Sequence, residues 1–211
     1  MSWLSARLFT WIQGAAFYTD VHTEAVRTLP EGHGRRWLDV GCGPGLVARL
    51  ASEHGYDAVG IDRDPSMVHA ARRRTRGARC RFELGELGRG AAERWSADVV
   101  SAASLLIVLP EPRAGLAQLW EWVRPGGTLL VVETTEHMTP ERARTIAPHT
   151  RAGRRAALSL WARARSGRAV DPALFDVIHA RARSDHALLH GLVRAWTFEK
   201  PERPTGADGH P

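Results

Sequence analysis

The chain lacks the residues that build disulfide frameworks and metal clusters. Its two cysteines, Cys42 and Cys80, stand apart and follow no zinc-ligand spacing. They read as reduced thiols of a cytoplasmic protein, and no metal site is expected. Lysine is almost absent: Lys200 is the only one, so the net charge of +6 comes from arginine. Such a bias fits a GC-rich bacterial coding sequence and says little about partners. The densest run, from Arg72 to Arg81, reads as a solvated helix end whose charges complement the helix dipole. No apolar run approaches the ~20 residues of a membrane span, so stable insertion is not expected. Met1–Tyr18 is apolar, but Arg7 interrupts it and no small-residue cleavage site follows, so it does not read as a signal peptide.

What is present is ordinary for a globular domain. The 211 residues are 44% hydrophobic and 25% charged, which excludes a disordered or fibrous chain. That length suits one domain with a self-sufficient core. From residue 36 to 133 short apolar runs alternate with helical stretches. Strands are predicted at Arg36–Val40, Asp57–Asp62, Arg79–Leu84, Asp98–Ala103 and Thr128–Glu133. Between them fall helices at Leu46–His54, Pro65–Arg76 and Arg113–Val123, with Pro125-Gly126-Gly127 as a turn. Strands alternating with helices mean right-handed βαβ units and a parallel sheet. Before this core, Leu4, Leu8, Trp11, Ile12 and Ala15 recur at helical spacing. After it, Thr139–Gly167 and Asp171–Ser184 are helix-like, and Ala187–Glu199 reads as one or two strands around Gly191.

The most informative stretch is Leu38-Asp39-Val40-Gly41-Cys42-Gly43-Pro44-Gly45, a strand running through a glycine turn into a helix. Glycines permit the sharp turn and let a ligand approach the backbone. The dinucleotide fingerprint G-x-G-x-x-G would need glycine where Leu46 stands. Asp39, two residues before the first glycine, suits a cationic ligand and not a pyrophosphate. Asp62 ends the second strand, where a carboxylate can accept from both hydroxyls of a ribose. Asp64, directly before Pro65, is the better helix cap.

These segments, with Val59–Met67, Asp98–Pro110 and Leu119–Glu133, resemble the successive motifs of class I S-adenosylmethionine (SAM)-dependent methyltransferases, in particular the small-molecule branch. The resemblance covers residues 36 to 133. It implies a Rossmann-like α/β three-layer sandwich with a mostly parallel sheet of seven strands and an antiparallel C-terminal strand. It implies SAM as cofactor and S-adenosylhomocysteine as product. Asp39, Gly41 and Cys42 would surround the methionine part, with Gly43 and Gly45 completing the loop. Asp62 would hold the ribose, and Arg63 and Met67 would lie against the adenine. Gly85-Glu86-Leu87 would approach the adenine amino group. Ala102 and Ala103 would face the methyl.

The stretch Ser104–Leu109 lacks the histidine pair of many small-molecule relatives. It also lacks the Asn/Asp-Pro-Pro-aromatic run of enzymes that methylate amino nitrogens, so a nucleic-acid substrate is disfavoured. Acceptor contacts are therefore expected from the flanks: Tyr18 and His22 before the core, Glu133, Glu136 and His137 after the fifth strand, then His149 and His190. Tyr18, Glu133 and His137 are the catalytic candidates. Trp161, Phe175 and Trp196 either line an apolar pocket, pointing to an apolar or aromatic metabolite, or pack in the core. The expected organisation is an N-terminal helical lid (1–35), a SAM-binding domain (36–200) with a helical insertion at about 139–184, and a disordered tail (201–211). A monomer or homodimer acting on a small-molecule acceptor is expected. The rivals are an RNA methyltransferase and a non-catalytic SAM-binding regulatory or partner protein.

Overall fold

The computed structural model describes residues 11–75, 79–88, 92–150 and 155–202. Leu4, Leu8, Arg76 and the tail beyond residue 202 lie outside them. In chain order the elements are α1 (Ala16–Arg27), β1 (Arg36–Val40), α2 (Leu46–Glu53), β2 (Asp57–Asp62), α3 (Pro65–Arg74), β3 (Cys80–Leu84) and α4 (Ala92–Trp95). There follow β4 (Ala97–Ala103), α5 (Pro112–Trp122), β5 (Val123–Thr134), α6 (Pro140–Ile146), α7 (Arg155–Arg165), β6 (Ala182–Leu188) and β7 (Val193–Glu199). The strands form one seven-stranded sheet in the order β3-β2-β1-β4-β5-β7-β6. β1 to β5 pair in parallel, and β7 runs antiparallel to both β5 and β6.

The central strands are mostly apolar because helices cover both faces of the sheet, with Asp39 and Ser101 as buried polar exceptions. Alternation of side chains sends Trp37, Val99 and Leu130 to a core shared with α1, α2 and α7. It sends Leu38, Val40, Val100 and Leu129 to a second core shared with α5. The three aromatics offered as one pocket divide between these cores. Trp161 packs on Phe17 and Tyr18, whereas Phe175 packs on Trp196 and Phe198 on the opposite side. α1 buries Phe17, Tyr18, Val21, His22, Ala25 and Val26, a stripe at helical spacing. Asp64 caps α3 by accepting from the Ser66 N–H at 2.9 Å, with Pro65 in the first turn.

Two stretches depart from the sequence-based expectation. Asp171–Ser184 is not a helix: only Pro172–Val177 makes a 3-10 turn, and Ala182 already begins β6. The residues of β6 have modest strand preference and all but Leu188 are exposed. The strand is held by its ladder to β7, a tertiary partner that local propensity does not report. β5 also begins earlier than Thr128. Val123 pairs with Ala97 and Thr128 with Val99, so residues 124–127 bulge from the ladder, with Gly126 at φ +73°. The single lysine fastens this corner, since Lys200 Nζ donates to the carbonyls of Trp120 (2.7 Å) and Val123 (2.8 Å).

Gly60, in the middle of β2, lies under the ring of Phe82. A Cβ there would sit 2.6 Å from Phe82 Cδ1. Gly60→Ala is therefore expected to lower stability by about 1–3 kcal/mol through overpacking. Urea unfolding of the two proteins measures it, and equal midpoints would contradict this packing.

Candidate active site

The sheet reverses its winding direction between β1 and β4, and at such a switch point the carboxyl ends of the strands border a crevice. The glycine turn leaves β1 here. Gly41, Gly43 and Gly45 all have positive φ, at +68°, +52° and +80°. Their faces have different neighbours. A Cβ on Gly41 would meet Leu105 Cδ1 at 2.8 Å, and one on Gly43 would lie 3.5 Å from Gln13 Nε2. Gly45 is backed by Phe82, so its missing side chain makes room for packing.

Two carboxylates fix this turn. Asp62 Oδ2 accepts from the Gly43 N–H at 2.8 Å, and Oδ1 accepts from the Asp64 N–H at 2.9 Å. Each oxygen keeps a second lone pair. Burial raises the Asp62 pKa, and the two backbone donors oppose that shift. Asp39 is 1% exposed. Its Oδ1 accepts from Ser101 Oγ at 2.8 Å, and Ser101 Oγ in turn accepts from Trp37 Nε1 at 2.8 Å. The register makes this chain, because Asp39 stands directly opposite Ser101 in the β1–β4 ladder. Asp39 Oδ2 is buried without a hydrogen-bond partner among the described residues. Burial pushes the Asp39 pKa up to about 7, against the pull of the Ser101 hydroxyl and the Ala48 N–H.

Asp39, Gly41, Cys42 and Ala103 share a small cavity with Gln13, Tyr18 and His22, so the segment before β1 closes over the glycine turn. The cavity measures about 20 Å³, room for about one water, whereas ligand pockets run to ~300–1,000 Å³. His22 Nδ1 lies 2.8 Å from the Tyr18 carbonyl. That ring nitrogen therefore carries the proton, and burial lowers the His22 pKa to about 4. The Tyr18 pKa is pushed up to about 12 by burial, opposed by the charge of Arg165 and by the side chains of Gln13 and Ser104. Ser104 follows β4 with φ +55°.

Glu133, near the end of β5, is fully buried. Its Oε1 accepts from the Leu106 N–H at 2.7 Å, and Oε2 has no partner among the described residues. Burial raises its pKa to about 8, against the Leu106 N–H and the charge of Arg165. At neutral pH both Tyr18 and Glu133 thus hold their protons. His137 lies apart: its side chain is 64% exposed, with Nε2 3.5 Å from Glu136 Oε1, and it does not line the cavity. Met67 is buried. Arg63 reaches Glu86 at 3.9 Å on the outer rim. The Gly85 N–H donates to the Asp62 carbonyl, which joins Gly85-Glu86-Leu87 to that rim. Ala102 is buried beneath the crevice.

Sequence reasoning missed Gln13, Ser101 and Arg165. Ser101 left a trace, as the one hydroxyl inside the apolar run Val99–Ala103. Gln13 and Arg165 left none, because only the folded chain brings their helical segments to the crevice.

The architecture, a doubly wound sheet with a glycine turn and two carboxylates at its switch point, defines a Rossmann-like domain of the methyltransferase type. Residues 38–127 match a family described as "Methyltransferase domain". A ubiquinone biosynthesis O-methyltransferase of Xanthomonas euvesicatoria pv. vesicatoria is 32% identical over 123 residues, covering 57% of this chain and 51% of that protein. A ribosomal protein L11 methyltransferase of Ralstonia nicotianae is 35% identical over 161 residues, covering 73% of this chain and 50% of that protein. The chain thus spans about half the length of these curated relatives. A putative SAM-dependent methyltransferase of Methanococcus maripaludis shares the fold, with a TM-score of 0.69 at 11% identity, covering 96% of this chain and 94% of that one. Over residues 38–127 the chain is thus similar to SAM-dependent methyltransferase domains, and the fold of the whole described chain is theirs.

Protonated Glu133 has a consequence for stability. Between its ordinary pKa of 4.5 and the folded value of about 8, the folded chain retains a proton that the unfolded chain releases. The stabilisation is complete below the lower value and disappears as pH rises through the upper one. Relative to Glu133→Gln, the wild type is expected to lose up to about 1.4 kcal/mol per pH unit across this window. Denaturant midpoints at pH 5 to 8.5 measure the difference, and parallel pH profiles would refute a protonated Glu133.

Proposed function

We propose that the protein is a SAM-dependent methyltransferase that transfers a methyl group to a small-molecule acceptor with an apolar or aromatic body. The observation that carries this reading is the buried Asp39 Oδ2 beside the glycine turn, without a hydrogen-bond partner among the described residues. A buried carboxylate in that state calls for a cation, and the ammonium of SAM meets that need. The backbone at Gly41 and Gly43 comes close because neither has a Cβ. Asp62, aimed by two backbone donors, offers its remaining lone pairs to the ribose hydroxyls. Met67, Arg63 and the Gly85-Glu86-Leu87 rim would flank the adenine, with Cys42 on the methionine side.

When bound, SAM supplies a methyl group already activated by its sulfonium. The acceptor's lone pair forms the new bond to carbon as the carbon–sulfur bond breaks and its electrons return to sulfur. The chain's own work is alignment, holding the acceptor atom ~3–3.5 Å behind the methyl carbon. Ala102 and Ala103 end β4 beside that line. Tyr18 and Glu133 act as proton-bearing donors that orient the acceptor, because burial keeps both protonated at neutral pH. His137, in solvent and paired with Glu136, receives no role. Since Gln13 and Tyr18 close the cavity, the helical segment that carries them serves as a lid that withdraws to admit SAM. The small-molecule reading draws on the enclosure of the crevice and on the likeness to the ubiquinone biosynthesis enzyme.

Asp62→Ala is expected to weaken SAM binding by ~10- to 150-fold, the worth of one or two hydrogen bonds to a charged group. Calorimetry showing unchanged affinity would remove Asp62 from the site. SAM affinity should also rise with pH through about 7, where free Asp39 loses its proton. Ionised Asp39 attracts the ammonium and neutral Asp39 does not, so binding strengthens as pH increases. Asp39→Asn should flatten this profile, and a wild-type affinity equally independent of pH would overturn the assignment.

A further inference from the structure

Gln13 has so far only the task of closing the cavity. It stands just before the bend at Gly14 and Ala15 that leads into α1. Ile12 and Ala15 are buried, and the Ala15 N–H donates to the Ile12 carbonyl at 2.9 Å, so two apolar residues pin this bend to the core. Gln13, held between them, reaches the glycine turn of β1. A Cβ on Gly43 would lie 3.5 Å from its Nε2.

The two ends of the amide have different surroundings. Its hydrogen bond to the Tyr18 side chain lowers the Tyr18 pKa. A bond that favours a phenolate comes from a donor, so the amide N–H faces Tyr18. The other end, Oε1, is buried without a hydrogen-bond partner among the described residues. Asp39 Oδ2 is in the same state, and both side chains line the same cavity. An unsatisfied buried acceptor costs about 1–3 kcal/mol. Two of them on one space of about 20 Å³ define what belongs there. The space takes a single heavy atom with its hydrogens. To satisfy both oxygens that atom must donate twice, which a carboxylate, a thioether or a methyl group cannot do.

We propose that Gln13 is a cofactor-binding residue whose Oε1 accepts from the ammonium of SAM opposite Asp39 Oδ2, so that the methionine end enters the cavity ammonium first. This deepens the methyltransferase reading and rests on it. An ammonium carries three N–H donors, and these two oxygens take two of them. A neutral amide suits the second position, because a second carboxylate beside Asp39 would repel the first. The ammonium thereby ties the lid, through Gln13, to the sheet, through Asp39. Ligands that carry only the adenosine part leave that tie unmade.

The test uses the full chain, with S-adenosylhomocysteine and its deamino analogue, in which hydrogen replaces the amino group. Both affinities are read by calorimetry at pH 8. The wild type should bind S-adenosylhomocysteine ~10-fold or more tightly than the analogue. Gln13→Met keeps the length of the side chain and removes the amide oxygen. It should weaken S-adenosylhomocysteine by ~10-fold and leave the analogue's affinity unchanged, which also reports that the variant is folded. Gln13→Ala should do the same. Variants that keep the wild-type affinity for S-adenosylhomocysteine overturn the proposal. So do variants that lose both ligands to the same extent, since Gln13 would then support the lid's fold and not the ammonium. A wild type that binds both ligands alike also overturns it, although the adenosine site would stand. A wild type that binds neither ligand instead overturns the methyltransferase reading.

Discussion

The crevice depends on a carboxylate taken out of water with no ion pair among the described residues. Asp39 enters the sheet interior because β1 is covered on both faces, and its place in the strand points it into a core otherwise made of Trp37, Val99 and Leu130. Burial of that kind is tolerated because the indole of Trp37 orders Ser101 and Ser101 donates to Asp39. One oxygen is satisfied and the other is kept in reserve, and that reserve is what a cationic ligand can use. The parallel register of β1 and β4 sets the geometry.

Asp62 makes a contrasting use of the same functional group. It is partly exposed, and both its oxygens receive backbone N–H groups from the glycine turn and from the start of α3. Its first effect is structural: it clamps the turn and thereby the position of Gly43. Any ligand contact it makes is pre-oriented by that clamp, so part of the ordering cost is met on folding. The two aspartates therefore divide the work between charge and orientation.

Around them, burial sets the protonation state of the remaining polar groups. Tyr18 and Glu133 are held neutral by desolvation, and His22 is held neutral by the same effect acting on a base. Arg165 retains its charge, because a guanidinium resists deprotonation even when buried. The result is a pocket whose one acidic group is Asp39, with the Arg165 charge acting on Tyr18 from behind.

Much was legible from residues alone, for identifiable reasons. Apolar runs of strand length, glycine-marked stops and Pro65 behind Asp64 are local signals with local causes, and they fixed β1 to β4, α2 and α3 to within a few residues. The glycine turn with Asp39 and Asp62 was equally readable, since backbone freedom and charge are properties of single positions. The tertiary structure decided what depends on neighbours distant in the chain. β6 exists because β7 offers it a ladder, although the sequence around Ala182 suggests a helix. Glu133 is neutral because Leu106 and the sheet enclose it, and His137, four residues on, stays in water. Arg165 acts on Glu133 and Tyr18 only because the end of α7 folds back over the end of β5. Covalent order sets the conformation and chemistry of each residue, but desolvation and juxtaposition belong to the packed chain.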